Sequence, residues 1–281
     1  MRIGLHVSIA GKIYESLERA NALGCNTMQI FSRNPRGWQF TEFAPSDTAQ
    51  FRKLKEKLEI RPVVVHIPYL INLATPDDEL HRRSINAYID DLRRTDELDA
   101  ECFVTHLGSH VGSGEEGGIK RFARALNEVI DKARPKTMIL LENTAGSGSM
   151  IGYRFEHIKR IMDNLDNAEN IGVCLDTAHT FEAGYDIRTR AGLDSTLKTF
   201  DSLIGLKRIK VVHFNDSLSL LGSHVDRHQH IGKGNIGLSG LKRIINHPKL
   251  KDAAFIMETP KNTEKDDQMN MRLAQKMLKD K

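Results

Sequence analysis

The chain has 281 residues, 40% of them hydrophobic and 28% charged, which is ordinary globular composition. No apolar run approaches the roughly 20 residues needed to span a bilayer, and the opening Met1-Arg2-Ile3-Gly4-Leu5-His6 lacks the apolar core of a secretory signal, so no membrane partner is expected. A net charge of +4 permits a polyanionic partner without demanding one. Cys25, Cys102 and Cys174 lie far apart and suit reduced, partly buried thiols in a cytoplasmic protein rather than a disulfide framework.

Taken in order, short apolar runs alternate with helical patterns. Residues 2–7 read as a strand ending at His6, followed by a helix over 11–23 with Ile13, Leu17 and Ala20 on one face. Residues 26–31 read as the second strand. The loop after it carries Arg33, Arg36 and Trp38, and a helix then starts near Ser46, a candidate N-cap. Pro62 to His66 is a near-continuous apolar run, as expected of a strand buried on both faces. It is followed by a loop with Tyr69 and Leu70 and a helix over 77–99. Residues 102–106 end in His106 and lead to a helix over 116–133. Residues 137–142 end in Glu142 and lead to a helix over 155–165. Residues 171–176 end in Asp176, with His179 three residues on and a helix within 190–204. Residues 209–213 end in His213. The polar, Gly-broken stretch Asp226 to Gly234 then precedes a helix near 239–246. Residues 253–258 end in Glu258, and the last twenty residues read as a helix with Met271, Ala274, Met277 and Leu278 inward.

Eight strand–helix units at spacings of roughly 25–45 residues imply a parallel sheet. They fit a closed (β/α)8 barrel of the TIM type occupying the whole chain, 1–281, as one domain. A doubly wound open sheet is the alternative, weakened by the absence of G-x-G-x-x-G after the first strand.

In such a barrel the strands' C-terminal ends share one face. Here they carry His6, His66, His106, Glu142, Asp176, His213 and Glu258, and the following loops add His179, Asp226 and His228. A lone histidine after a strand is usually a hydrogen-bonded structural residue. This many ionisable groups closing apolar strands on one face would be costly to bury unpaired, and metal ions offset that cost. With His6 set aside, nine residues remain: five His, two Asp and two Glu. That is too many for one dinuclear site and enough for three metals with bridging carboxylates. Imidazole with carboxylate suits zinc first, with manganese or iron as rivals. Clustered metals of this kind serve phosphoryl hydrolysis. On neighbouring loops Arg33 and Arg36 supply charge for phosphates, and Trp38, Tyr69 and Leu70 supply either wedges for a distorted nucleic acid or plain packing of loop on barrel.

Several stretches together resemble one family. They are Gly4-Leu5-His6-Val7-Ser8, His66 with Tyr69 to Leu73, His106-Leu107-Gly108-Ser109-His110, Leu141 to Gly146, Cys174-Leu175-Asp176-Thr177-Ala178-His179, His213 to Ser217, Asp226-Arg227-His228, Ile231-Gly232 and Glu258-Thr259-Pro260. In this order the chain is similar to the endonuclease IV family of apurinic/apyrimidinic endonucleases. The resemblance implies a barrel with three zinc ions, manganese being admissible at one or more sites. His66, His106 and Glu142 would hold the first, and Glu142, Asp176, His213 and Glu258 the second. His179, Asp226 and His228 would hold the third. It implies hydrolysis of duplex DNA 5′ to an abasic site by a metal-held hydroxide, leaving a 3′-hydroxyl and a 5′-deoxyribose phosphate. Glu142 would be the bridging ligand and proton acceptor. Arg36, Tyr69 and Leu70 would enter the minor groove and fill the gap of the missing base. A monomer is expected.

Pro68, Leu107 and Lys233 depart from the family's pattern, which touches DNA-contact detail rather than the ligand set. Two rivals remain. A sugar isomerase or epimerase needs only Glu142, Asp176, His213 and Glu258. A DNA-binding protein with a dead cluster would have lost at least one of the nine residues.

Overall fold

The structure, a computed structural model, describes residues 1–278. Eight parallel strands close a barrel: β1 (Arg2–His6), β2 (Thr27–Phe31), β3 (Val63–His66), β4 (Cys102–Thr105), β5 (Met138–Glu142), β6 (Ile171–Asp176), β7 (Ile209–His213) and β10 (Ala254–Met257). Each strand pairs with its successor, and β10 pairs with β1 from Arg2↔Ala254 to Leu5↔Met257, which seals the ring. A further antiparallel pair, β8 (Asp216–Ser217) and β9 (His228–Gln229), rises from the loop after β7. Around the ring run α1 (Glu15–Ala22), α2 (Pro45–Lys57), α3 (Asp78–Glu97), α4 (Glu115–Ala133), α5 (Phe155–Asp163), α6 (Thr177–Glu182), α7 (Arg190–Leu203), α8 (Gly237–Ile245) and α9 (Asp266–Met277).

The two-residue period of a strand divides these runs between two cores. Val64, Cys102, Val104, Leu140, Cys174, Val211 and Ile256 fill the barrel interior. Their neighbours Val63, Val65, Phe103, Ile139, Leu141, Val173, Val212, Phe255 and Met257 face outward into the layer shared with the helices. Two residues beyond the last interior position of each of six strands comes an ionisable one: Val64 then His66, Val104 then His106, Leu140 then Glu142. The series continues with Cys174 then Asp176, Val211 then His213, and Ile256 then Glu258. The same alternation that builds the apolar floor therefore delivers six ionisable side chains to the layer above it. A register shift between Val173 and Cys174 sets Asp176 opposite His213.

Most expected elements appear, with informative differences. The first helix begins at Glu15 rather than residue 11, because Gly11 adopts a φ of +80° that a right-handed helix excludes. Ser46 is not an N-cap. Ala44 takes that place and Pro45 opens α2, where its missing N–H costs nothing. Helix α3 is capped as residue type suggests, the Asp77 carboxylate accepting from Leu80 N at 2.8 Å. Helix α6 and the β8/β9 pair were not expected, since six and two residues are too few to show a period. The three cysteines are buried and free. Met271, Ala274 and Met277 are buried and Leu278 is partly buried; the expected terminal helix beyond it falls outside the described residues. Among the described residues no helix is long and apolar enough to cross a membrane.

Candidate metal centre

The interior layer above the apolar floor converges on Glu142. This carboxylate is fully buried. Its Oε2 lies 3.2 Å from Nε2 of both His66 and His106, and its Oε1 lies 2.8 Å from His213 Nδ1. One oxygen thus faces the β3–β4 side and the other the β7 side. His213 Nδ1 is also 3.1 Å from Glu258 Oε2 and 3.8 Å from Asp176 Oδ2. A third cluster adjoins: His179 Nε2 stands 3.3 Å from Asp226 Oδ2, and His228 Nε2 stands 3.4 Å from Asp176 Oδ2 and 3.9 Å from Asp226 Oδ1. Four sets bring donor atoms close enough for a shared ion: His66, His106 and Glu142; Glu142, Asp176, His213 and Glu258; Asp176, His179 and His228, with Asp226 beside them; and Glu142, Cys174 and His213, which overlaps the second and draws its thiol from the apolar floor. All nine residues singled out in the sequence meet here.

The outward nitrogens of the rings show how the inner ones are aimed. His66 Nδ1 donates to the Ile67 carbonyl at 2.8 Å, and His179 Nδ1 to the Asn143 carbonyl at 2.9 Å. His228 Nδ1 donates to the Glu258 carbonyl at 3.2 Å, and His213 Nε2 to Gln29 Oε1 at 2.8 Å. Each bond fixes the tautomer and leaves the other nitrogen as an acceptor facing the carboxylates, the arrangement that orients a metal-ligating imidazole. Nε2 of His179 and of His228 is buried and makes no hydrogen bond among the described residues. Two orphaned lone pairs beside carboxylates fit a bound cation.

Without a cation, protons must supply the positive charge. At Glu142, Asp226 and His228 burial opposes charge, and attraction to neighbouring groups of opposite sign outweighs it. His213 and His106 hold Glu142 well below the usual carboxylate range. The adjacent His179 ring holds Asp226 down at about 2. Asp176 raises the His228 ring to about 9. The site is built to attract positive charge and carries more carboxylate than its neutral imidazoles can balance.

Residues 17–281 match the family described as xylose isomerase-like TIM barrel. The chain is 47% identical over 266 residues to the probable endonuclease 4 of Halothermothrix orenii, covering 95% of this chain and 96% of that one. The crystal structure of endonuclease IV from Thermus thermophilus superposes with a TM-score of 0.89 at 37% identity, covering 99% and 98% of the two chains. The chain belongs to the endonuclease IV family. A D-tagatose 3-epimerase-like protein, covering 99% and 97% of the two chains at a TM-score of 0.72 and 21% identity, shares the fold.

In this endonuclease IV family chain the cluster opens into a cleft of roughly 580 Å3 lined by His6, Phe31, Arg36, Tyr69, Thr259 and Lys261 beside six of the nine residues. Tyr69 is 60% exposed and packs edge-on against Phe31, so its ring stands over the mouth. Arg36 is exposed and lines the same cleft, whereas Leu70 is half-buried and outside it. Arg33 does not offer its charge to the cleft, and Trp38 belongs to the packing alternative. Arg33 is buried, its guanidinium clamped to Asp91 and donating to the carbonyls of Gly37 and Trp38, so it shapes the loop that presents Arg36. Trp38 lies under Arg83, 4.3 Å from ring centroid to guanidinium carbon. Of the departures from the family pattern, Leu107 is fully buried against Gly152, Pro68 is buried, and Lys233 is exposed.

Sequence reasoning missed the residues that orient the nine. Gln29 accepts from His213 and donates to Glu258 Oε1 at 2.5 Å. Asn143 Oδ1 accepts from Asp176 N, and Asn215 donates to Asp176 Oδ2 at 2.8 Å while accepting from Glu258 N. A polar side chain inside an apolar strand was the available signal for Gln29. Asp216 accepts from the backbone N–H groups of Gly234, Ile236 and Gly237, which folds the stretch after His228 back onto β8. Gly234 is required there: a Cβ would meet Ser217 O at 2.3 Å.

Proposed function

We propose that this protein is a zinc-dependent AP endonuclease, working as a single-domain monomer, that hydrolyses the phosphodiester 5′ to an abasic site in duplex DNA, leaving a 3′-hydroxyl and a 5′-deoxyribose phosphate. The observation that carries the metal reading is the set of four histidines whose outward nitrogens are tied to oxygen acceptors while their inner nitrogens face carboxylates. Family membership supports the DNA substrate. His66, His106 and Glu142 would hold one ion, Glu142, Asp176, His213 and Glu258 a second, and His179, Asp226 and His228 a third. When bound, zinc would acidify water and neutralise charge on the phosphate oxygens.

The chain's own groups then divide the work. Glu142, with one oxygen toward each of two ligand sets, is suited to bridge them and to accept a proton at the reacting centre. Arg36 offers a guanidinium to backbone phosphate at the rim of the cleft. Tyr69, and Leu70 behind it, offer apolar surface to the space a missing base leaves. A nucleotide without a base costs least to extrude, which favours damaged over intact DNA.

A sugar epimerase needs only the set around Glu142, Asp176, His213 and Glu258, and leaves the five flanking ligands without a task. The two readings separate on a labelled duplex carrying one tetrahydrofuran abasic analogue, which resists β-elimination. A single cut 5′ to the analogue with an extendable 3′-hydroxyl, abolished by prolonged chelation and restored by zinc, supports hydrolysis. Intact DNA after incubation with fully metal-loaded protein would overturn the proposal.

A further inference from the structure

Glu182 lies one turn beyond His179 at the end of α6, is fully buried, and belongs to none of the three ligand sets. Its Oε1 accepts from Ser217 Oγ at 2.6 Å and from Arg227 N at 3.2 Å. Ser217 opens the segment that carries Asp226 and His228, and Arg227 lies between those two residues. Ser217 pairs with His228 in the β8/β9 ladder, and Leu218 N donates to the Arg227 carbonyl at 2.9 Å. The backbone at the same end of α6 holds the middle of the segment: the Glu182 carbonyl accepts from His224 N at 3.0 Å, and the Phe181 carbonyl from Gly222 N at 3.2 Å. Glu182 Oε2 is buried and has no hydrogen-bond partner among the described residues.

An unpartnered buried carboxylate oxygen is unfavourable for stability. What the side chain achieves is a fixed distance between α6, which presents His179, and the segment that presents Asp226 and His228. Asp226 has a half-exposed side chain and no strand of its own to hold it. We infer that Glu182 is a positioning residue for the third ligand set, clamping the 217–228 segment to α6 so that His179, Asp226 and His228 close on one ion. The inference rests on the metal reading above.

The test uses the full-length protein as wild type, Glu182→Ala and Glu182→Gln, each loaded with zinc, freed of excess and challenged with a chelator while zinc release is followed. Glu182→Gln keeps a carbonyl oxygen for Ser217 and Arg227. Glu182→Ala should release one of three ions about 10–100-fold faster than wild type, with the other two unchanged, and Glu182→Gln should restore slow release. Hydrogen exchange of the metal-free proteins gives a second readout: the amides of Leu218, His224 and Arg227 should exchange faster in Glu182→Ala alone. If Glu182→Ala does not fold, Ser217→Ala, which removes only the donated hydroxyl, carries the same expectation at a smaller factor. Three ions released at wild-type rates from the folded variant, or uniformly faster release of all three, would overturn the inference alone. A wild-type protein that takes up fewer than three ions overturns the metal reading beneath it.

Discussion

Replacing Gln29 by leucine removes a side chain of similar size that touches two ligands of one set. Gln29 is fully buried, accepts from His213 Nε2 at 2.8 Å and donates to Glu258 Oε1 at 2.5 Å. Loss of an outer partner of a metal ligand typically weakens affinity 10–100-fold, about 1.4–2.8 kcal/mol. Because two ligands of the central set lose their partner together, the expected loss there is near the upper end, about 100-fold. The set of His179, Asp226 and His228 makes no side-chain hydrogen bond to Gln29 among the described residues, so its affinity should stay within about threefold, well inside one outer-partner effect. The metal-free variant should also be less stable by about 1–3 kcal/mol, since His213 Nε2–H is left buried without an acceptor. Chelator competition resolves the affinity classes, and urea unfolding of the stripped protein gives the stability. Unchanged affinity in every class would refute the orienting role of Gln29. An equal loss in all classes would show a global defect instead.

Glu142→Gln should fold yet lose nearly all incision, about a thousandfold or more, because an amide cannot bridge two ligand sets or accept a proton; single-turnover cleavage of the tetrahydrofuran duplex measures it, and retained activity would remove Glu142 from its assigned role. Tyr69→Ala should raise the dissociation constant for the lesion about tenfold while zinc content, read by elemental analysis, stays constant, the loss expected for one aromatic contact to nucleic acid; a drop in bound zinc would make Tyr69 part of the metal shell. In the metal-free protein His228 is raised to about 9 from an ordinary 6.5. Its proton therefore stabilises the stripped fold fully below 6.5, and that contribution is lost as pH rises through 9. Zinc must displace the same proton, so apparent zinc affinity should rise steadily across that window, and a flat profile in competition titrations would contradict the assignment.

How much of this was legible in the sequence follows from strand geometry. His66, Glu142, Asp176, His213 and Glu258 could be read because each sits two positions beyond an interior apolar residue, and a two-residue period needs no knowledge of the partner strands. Gln29 could not be assigned its role, because its partner His213 is 184 residues away and meets it only when the barrel closes. Arg33 and Arg36 are alike in composition and lie in the same loop, yet one is buried on Asp91 and the other lines the cleft. Loop side chains follow no period, so only the fold distinguishes them. Helix α6 and the β8/β9 pair are too short to carry a pattern: Asp176 caps the helix by accepting from His179 N, and Glu182 holds β8 by accepting from Ser217 across 35 residues of chain.

The nine residues on one face of the barrel are proposed to hold three metal ions. Anomalous diffraction above and below the zinc edge, from crystals of protein loaded with zinc and freed of excess, tests this directly. Three peaks are expected: one beside His66, His106 and Glu142, one among Glu142, Asp176, His213 and Glu258, and one among His179, Asp226 and His228. A single peak confined to the middle set would contradict this and return the site to the chemistry of the sugar epimerases that share its fold.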